Sequence, residues 1–278
     1  MDMPHIDCAG QCERGKVRES NEDRFLIADL CKSLRVKQTN LERGHRERLG
    51  ENDPGKLLVV ADGMGGQAAG DRASAVAVRG IVHYTLNCMR WFFRLGDDPE
   101  SDFLDDLRAA LEHAQSQVLA DVKSNPDREG MGTTLTAAYV VWPRLYVVHV
   151  GDTRAYLLRD AKLHQITRDH TVARRMVEEG AMDEDEAENT RFSHMLWNFV
   201  GSSENDFRPE VYKAKLARGD AVLLCSDGLT KHVEAPEIAR VIGNCELADD
   251  ACSQFIEMAN DAGGKDNITV VLARFLHA

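Results

Sequence analysis

Three apolar runs with the look of buried strands each end in an aspartate beside a glycine: Leu58-Val59-Val60-Ala61-Asp62-Gly63, Val147-Val148-His149-Val150-Gly151-Asp152 and Val222-Leu223-Leu224-Cys225-Ser226-Asp227-Gly228. A fourth aspartate, in Gly263-Gly264-Lys265-Asp266-Asn267, leads directly into Ile268-Thr269-Val270-Val271. Carboxylates at strand ends are held by a rigid sheet, and the neighbouring glycines let backbone come close to whatever they bind. One Asp-Gly pair is an ordinary turn. Four aspartates at strand ends, with Asn21-Glu22-Asp23 before another strand-like run, form a set of charges that repel one another if they converge, and only cations neutralise such a set at low cost. Oxygen ligands without His or Cys select hard ions, Mg²⁺ or Mn²⁺, over zinc or copper. Two such ions, about 3.5–4 Å apart, can activate a water and neutralise charge in phosphoryl transfer.

Runs rich in β-branched residues and bounded by turn residues predict strands over residues 25–29, 56–61, 133–141, 145–150, 155–159, 221–225 and 268–275. Helical spacing predicts helices over 72–93, 103–123 and 247–262; in the first, Ala73, Val76, Ala77, Gly80, Ile81 and Tyr84 share a face. A shorter helix over 171–179 ends at Gly180, which suits a left-handed C-cap. The runs 133–141 and 145–150, joined by Trp142, Pro143 and Arg144, predict a hairpin and therefore antiparallel sheet, so the expected class is α+β and not a doubly wound parallel fold. Residues 180–206 carry many charges and few strand signals, which predicts a surface flap. No Pro-rich or Gly/Ser-rich linker divides the chain, so a single domain over 1–278 is expected.

Composition closes off other classes. The 278 residues are 43% hydrophobic and 29% charged, as in soluble globular proteins. With 46 acidic against 34 basic residues the net charge is −12, which opposes binding to nucleic acid or an anionic membrane, and no basic stripe overrides it. The apolar stretch 136–150 is broken by Pro143 and Arg144 and is too short for a membrane span; residues 1–10 lack the apolar run of a signal peptide. Seven cysteines without a CxxC pair predict neither a disulfide framework nor a zinc ribbon, and a cytoplasmic location is expected.

Six segments, Val17-Arg18-Glu19-Ser20-Asn21-Glu22-Asp23, Ala61-Asp62-Gly63-Met64-Gly65-Gly66, Gly130-Met131-Gly132-Thr133-Thr134, Val150-Gly151-Asp152-Thr153-Arg154, Ser226-Asp227-Gly228-Leu229 and Gly264-Lys265-Asp266-Asn267, resemble in order the motif set of the type 2C metal-dependent protein serine/threonine phosphatases (the PPM family) in their bacterial form. The resemblance runs from about residue 10 to residue 275. It implies two antiparallel sheets packed face to face with helices outside each, an α-β-β-α arrangement, and a binuclear Mn²⁺ or Mg²⁺ centre at one end. Carried over position by position, Asp62 would bridge both ions, the Gly63 carbonyl would bind one, and Asp227 and Asp266 would hold the other. Glu22 and Asp23 would act through waters on the ions, Arg18 would bind phosphate, and Asp152 would share a third, weaker ion with Asp227. The implied activity is hydrolysis of phosphoserine and phosphothreonine in proteins by a metal-activated water, which reverses Ser/Thr kinase signalling. The implied partners are phosphoproteins, kinases or their substrates, met by a monomer.

Two positions depart from the family pattern. Met64 stands where many eukaryotic relatives have a histidine proposed to protonate the leaving group, and a thioether cannot supply a proton. The stretch 31–55 is longer than the link expected there and, with Arg43, Arg46 and Arg48 among Glu42, Glu47 and Glu51, predicts a solvated loop. Other residues are expected to be structural: Thr133 and Thr134 as the start of a core strand, His232, the aromatic run Trp91, Phe92 and Phe93 at a helix end, and Cys225 as an inert buried thiol. A non-catalytic regulatory module of the same fold that binds phosphoproteins is the alternative, and the presence of Asp62, Asp227 and Asp266 argues against it. A two-metal nuclease is opposed by the net charge.

Overall fold

The computed structural model describes residues 3–31, 55–65, 69–89, 100–188, 190–202 and 207–276. Among them the elements run in chain order as β1 (Ile6–Glu13), β2 (Arg24–Leu30), β3 (Gly55–Ala61), the two-residue β4 (Gly63–Met64), helix α1 (Ala69–Asn87), α2 (Glu100–Ser124), β5 (Gly132–Thr133), β6 (Leu135–Val141), β7 (Arg144–Val150), β8 (Arg154–Arg159) and β9 (Lys162–Gln165). They continue through α3 (Val172–Glu178), α4 (Glu184–Glu188), β10 (Glu210–Lys215), β11 (Ala221–Cys225), α5 (Asp227–Thr230), α6 (Ala235–Asn244), α7 (Ala248–Asp261) and β12 (Ile268–Phe275).

Two five-stranded sheets carry the fold, one ordered β1-β12-β11-β8-β9 and the other β10-β7-β6-β3-β2, every pairing antiparallel. Side chains alternate across each strand, so both sheets bury both faces. In β3, Leu58 and Val60 meet Val147, Val222, Leu224 and Val271 between the sheets. Its alternate residues Leu57, Val59 and Ala61 pack under α1 and α2 with Ile81, Leu107 and Leu111. On the opposite side Leu223, Val270 and Leu272 pack under α6 and α7 with Val241 and Phe255. The predicted α-β-β-α sandwich is therefore the observed one. Double-sided burial also explains why these antiparallel strands read as unbroken apolar runs instead of alternating ones.

The central strands lie where the sequence predicts them, and the strands of the two large sheets that it missed, β1, β9 and β10, are all at sheet edges. An edge strand pairs on one side only and stays half-exposed, so polar residues are tolerated, as in Ile6–Glu13 with Asp7, Gln11 and Glu13. That strand is fixed by eight pairs with β12, from Ile6 opposite Phe275 to Glu13 opposite Ile268. Helix α1 starts three residues earlier than predicted and ends at Asn87. It crosses α2 so closely that a Cβ at Gly80 would lie 2.8 Å from the Ala114 Cα. Helix α3 is capped by the Thr171 side chain, which accepts from the Arg174 N–H, and is followed by Gly180 at φ +71°, the predicted left-handed stop. Most of the predicted loop 31–55 (residues 32–54) and Trp91–Phe93 lie outside the described residues.

The strand ends converge by topology. β3 and β7 each pair antiparallel with β6, so Asp62 and Asp152 follow strands that finish at the same end of the sandwich. In the other sheet the end of β11 lies opposite the start of β12, which brings Asp227 and Asp266 to that end too. Residues 14–23 cross the same end from β1 to β2.

Candidate metal centre

Asn267 ties the crossing loop to the sandwich. Its Nδ2 donates to the Arg14 and Ser20 carbonyls at 2.9 Å each, and its Oδ1 accepts from the Glu22 N–H at 2.9 Å. Asp62 is held through its backbone: Thr133 Oγ1 and the Thr134 N–H donate to its carbonyl at 2.8 and 2.9 Å, and its own N–H donates to Thr134 Oγ1 at 3.0 Å. The two threonines do not begin the core strand as expected: Thr133 ends β5, Thr134 lies between strands and β6 starts at Leu135, and what the pair does is aim the aspartate. Backbone packs too tightly here for side chains. A Cβ at Gly63 would lie 2.1 Å from the Gly70 carbonyl oxygen, and one at Gly70 would lie 2.6 Å from Glu22 Oε2.

These constraints bring Arg18, Glu22, Asp62, Asp152, Asp227 and Asp266 around one cavity of about 370 Å³, with Gly63 and Met64 in its wall. Asp23 is fully buried, and neither carboxylate oxygen has a hydrogen-bond partner; Asp227 Oδ1 is likewise buried and unpartnered. Every predicted site residue is therefore in this cavity's wall except Asp23. His232 and Cys225 do not line it. Burial pushes the Cys225 thiol up to about 12, which leaves it an inert thiol.

The electrostatics are those of crowded like charges. Burial pushes the Asp23 carboxyl up to about 7, against the pull of Thr269 and Ser226 and with the help of Asp227 and Asp266. Asp62 is held well above the usual carboxylate range by burial and then by Asp23, Asp227, Asp152 and Asp266. Asp152 is raised in the same way by burial, Asp227 and Asp169. Glu22 is raised by burial in spite of Arg18. Two cations answer them. Arg18 makes a fork to Asp266, Nε to Oδ1 and Nη2 to Oδ2, both at 2.9 Å. Lys231 Nζ lies 2.5 Å from Asp227 Oδ2 and 3.6 Å from Asp266 Oδ2. Burial would lower the lysine's pKa, but Asp227 and Asp266 outweigh it and the net shift is upward.

With those oxygens paired, no three His, Cys, Asp or Glu side chains among the described residues stand at ion-binding spacing as they are. The donor set still fits a hard divalent ion. It is all oxygen, it repels itself, and it includes buried carboxylate oxygens that have no other partner. Lys231 was missed from sequence although a signal existed: it lies four residues past Asp227, the spacing at which side chains meet on one helical face.

A second polar cluster backs the Gly151–Asp152 turn. His170, fully buried, accepts at Nδ1 from the Gly151 N–H at 3.1 Å and from Asn198 Nδ2 at 2.9 Å, while its backbone N–H donates to the Gly151 carbonyl at 2.7 Å and its Nε2, without a hydrogen-bond partner, lies 3.4 Å from Glu210 Oε2. Its ring lies between His149 and Trp197, with centroids 4.8 and 5.1 Å away. His149 is bonded at Nδ1 to Thr136 Oγ1 (2.8 Å) and at Nε2 to the Arg168 carbonyl (2.9 Å), and burial with its His170 neighbour holds its pKa down to about 3. The flap docks through this cluster and through an antiparallel bridge between Thr133 and Val200, and it contributes His194 and Leu196 to the cavity wall. Neither histidine was predicted to support the site, because only the fold brings them behind it.

A sandwich of this topology with an acidic cavity at one end defines a class, and the comparisons agree with it. Residues 45–276 match the model of the family described as protein phosphatase 2C, and the chain belongs to that family. It is 39% identical over 265 residues to the serine/threonine protein phosphatase PstP of Mycobacterium tuberculosis, covering 95% of this chain but spanning only 44% of that relative's length. It is 32% identical over 260 residues to the serine/threonine phosphatase stp of Listeria monocytogenes, covering 94% of this chain and 92% of the relative. A solved catalytic domain of PstP in complex with two manganese ions superposes with a TM-score of 0.75 at 33% identity, over 98% of this chain and 99% of that one.

Proposed function

We propose that the chain is a metal-dependent phosphoprotein phosphatase acting on phosphoserine and phosphothreonine, with the cavity at the end of the sandwich as its centre and the whole chain serving as one phosphatase domain. The observation that carries this reading is the crowd of carboxylates that repel one another around a cavity with Arg18 at its rim, with both oxygens of Asp23 behind the wall and Oδ1 of Asp227 left without partners. Asp62, Asp227, Asp266 and the Gly63 carbonyl would hold two Mn²⁺ or Mg²⁺ ions, with Glu22 and Asp23 supporting them and Asp152 available to a third. When bound, such ions supply an acidified water and neutralise phosphate charge. The relative solved with two manganese ions supports this choice of cofactor.

The chain's own groups do the positioning. The Arg18 side chain is 54% exposed; its Nε–Nη2 edge is held by Asp266, and its planar fork would suit two oxygens of a phosphate monoester once an ion takes Asp266. Thr133 and Thr134 fix the direction of Asp62. Leu196 and His194 from the flap wall the opening, where a protein substrate's flanking residues would meet them. Met64 offers no proton to the leaving alkoxide, so that proton comes from elsewhere in the cavity. Among the described residues no helix is long and apolar enough to cross a membrane.

The test is a side-by-side assay of a phosphothreonine peptide, a phosphodiester and single-stranded DNA, with Mn²⁺ and with chelator. Turnover of the peptide alone, and only with metal, supports the reading. Peptide binding without turnover would favour the regulatory module, and cleavage of diester or DNA would favour a nuclease.

A further inference from the structure

We infer that Lys231 is a resident counter-cation of the acidic cavity, holding Asp227 and Asp266 together in the metal-free protein and yielding its place when one of the divalent ions binds. The inference rests on the reading of those two aspartates as ion ligands. Their carboxylates come from different elements, Asp227 from the start of α5 and Asp266 from the turn before β12, so nothing in the backbone joins them. Lys231 is the described cation that spans both, at 2.5 and 3.6 Å, whereas Arg18 pairs with Asp266 alone.

The position is built, not incidental. The Lys231 N–H donates to the Asp227 carbonyl at 2.9 Å as the cap of α5, which fixes the two residues one helical turn apart and sends the lysine's stem over the aspartate. Its side chain is 31% exposed, so the ammonium is partly sheltered and its pull on the carboxylates is screened less than at an open surface. An ammonium is a compact monovalent charge on a flexible stem, able to sit where an ion sits and able to leave. It also lines the same cavity as Asp62 and Asp152, so its charge offsets the repulsion described above.

Two consequences follow. The metal-free chain is stabilised against its own carboxylates, and the ion that takes Asp227 and Asp266 must compete with a tethered cation. Affinity at that one site is therefore weaker than the ligand set alone would give. Removing the charge should reverse both effects.

Calorimetric titration with Mn²⁺ and thermal melts in chelator test this on the unaltered chain and on Lys231→Met, Lys231→Gln and Lys231→Arg, with circular dichroism to check folding. For the two neutral variants the expected result is a lower melting temperature in chelator and a Kd about tenfold tighter at one of two Mn²⁺ sites, or about 1.4 kcal/mol. Lys231→Arg, which keeps the charge, should stay within about twofold of the unaltered chain. An unchanged or weaker Kd in the folded neutral variants would overturn the counter-cation role while leaving the metal reading intact. Failure of the unaltered chain to bind Mn²⁺ at all would overturn the metal reading and this inference with it.

Discussion

Two buried polar clusters meet at the Gly151–Asp152 turn and differ in one respect. Behind the turn, His149, His170, Thr136 and Asn198 are buried and bonded to one another or to backbone at 2.7–3.1 Å, and the ring nitrogen left without a hydrogen bond, His170 Nε2, faces the Glu210 carboxylate at 3.4 Å. In front of it, Asp23 is equally buried with both oxygens unpartnered, and Asp62, Asp227 and Asp266 crowd around it. Buried polar groups are normally satisfied, since an orphaned one costs about 1–3 kcal/mol and a charge more. The paired cluster is architecture. The unpaired one destabilises the fold it sits in, and such a cost persists where the site has a use for it.

The difference can be broken from either side. Asp62→Asn removes a charge from the crowded side, so phosphopeptide turnover should fall by about a thousandfold or more while the melting temperature in chelator holds or rises. Assay and melt on the same preparation check both halves. His170→Ala removes the acceptor of the Gly151 N–H and should cost about 2–4 kcal/mol of stability, read from urea unfolding with and without Mn²⁺. Its turnover at low temperature should fall far less than that of Asp62→Asn. Arg18→Ala leaves every carboxylate in place and removes only the cation at the cavity's rim. It should raise KM and weaken inhibition by inorganic phosphate about tenfold with a smaller change in kcat, because the fork contacts phosphate before and during reaction.

The smallest effect separates the clusters by pH, in chelator. Asp23, ordinarily near 3.8, is carried up to about 7, so it stays protonated in the fold while the unfolded chain ionises. The metal-free protein therefore loses stability as pH rises from 3.8 to about 7. His149, ordinarily at 6.5, is held down to about 3, so it stays neutral in the fold while the unfolded chain takes up a proton. That contribution is lost as pH falls from 6.5 towards 3. Unfolding free energies measured across pH should lose the alkaline decline in Asp23→Asn and the acid decline in His149→Gln.

What could be read from sequence follows the same division. Asp62, Asp152 and Asp227 sit beside glycines at the ends of apolar runs and Asp266 shortly before one, a local pattern, and their gathering into one centre was implied by the family resemblance. The central strands were legible because burial on both faces leaves no polar residue to disguise them. Edge strands such as Glu210–Lys215 were not, because a half-exposed strand with three charged residues in six resembles a loop until its partner β7 is known. His170 and Asn198, twenty-eight residues apart, carry no local signal of acting together. Lys231 falls between the cases: its spacing to Asp227 was visible, but its reach to Asp266 depends on the pairing of β11 with β12.

The central claim is that the crowded carboxylates are a cation site whose filling creates the activity. Mn²⁺ titrated into chelator-stripped protein, with melting temperature and phosphothreonine-peptide turnover read on the same samples, tests it most directly. Both should rise together from a baseline of essentially no turnover, and both should respond in Asp62→Asn only at much higher Mn²⁺. Full turnover in stripped protein, with metal absence confirmed by elemental analysis, would contradict the account.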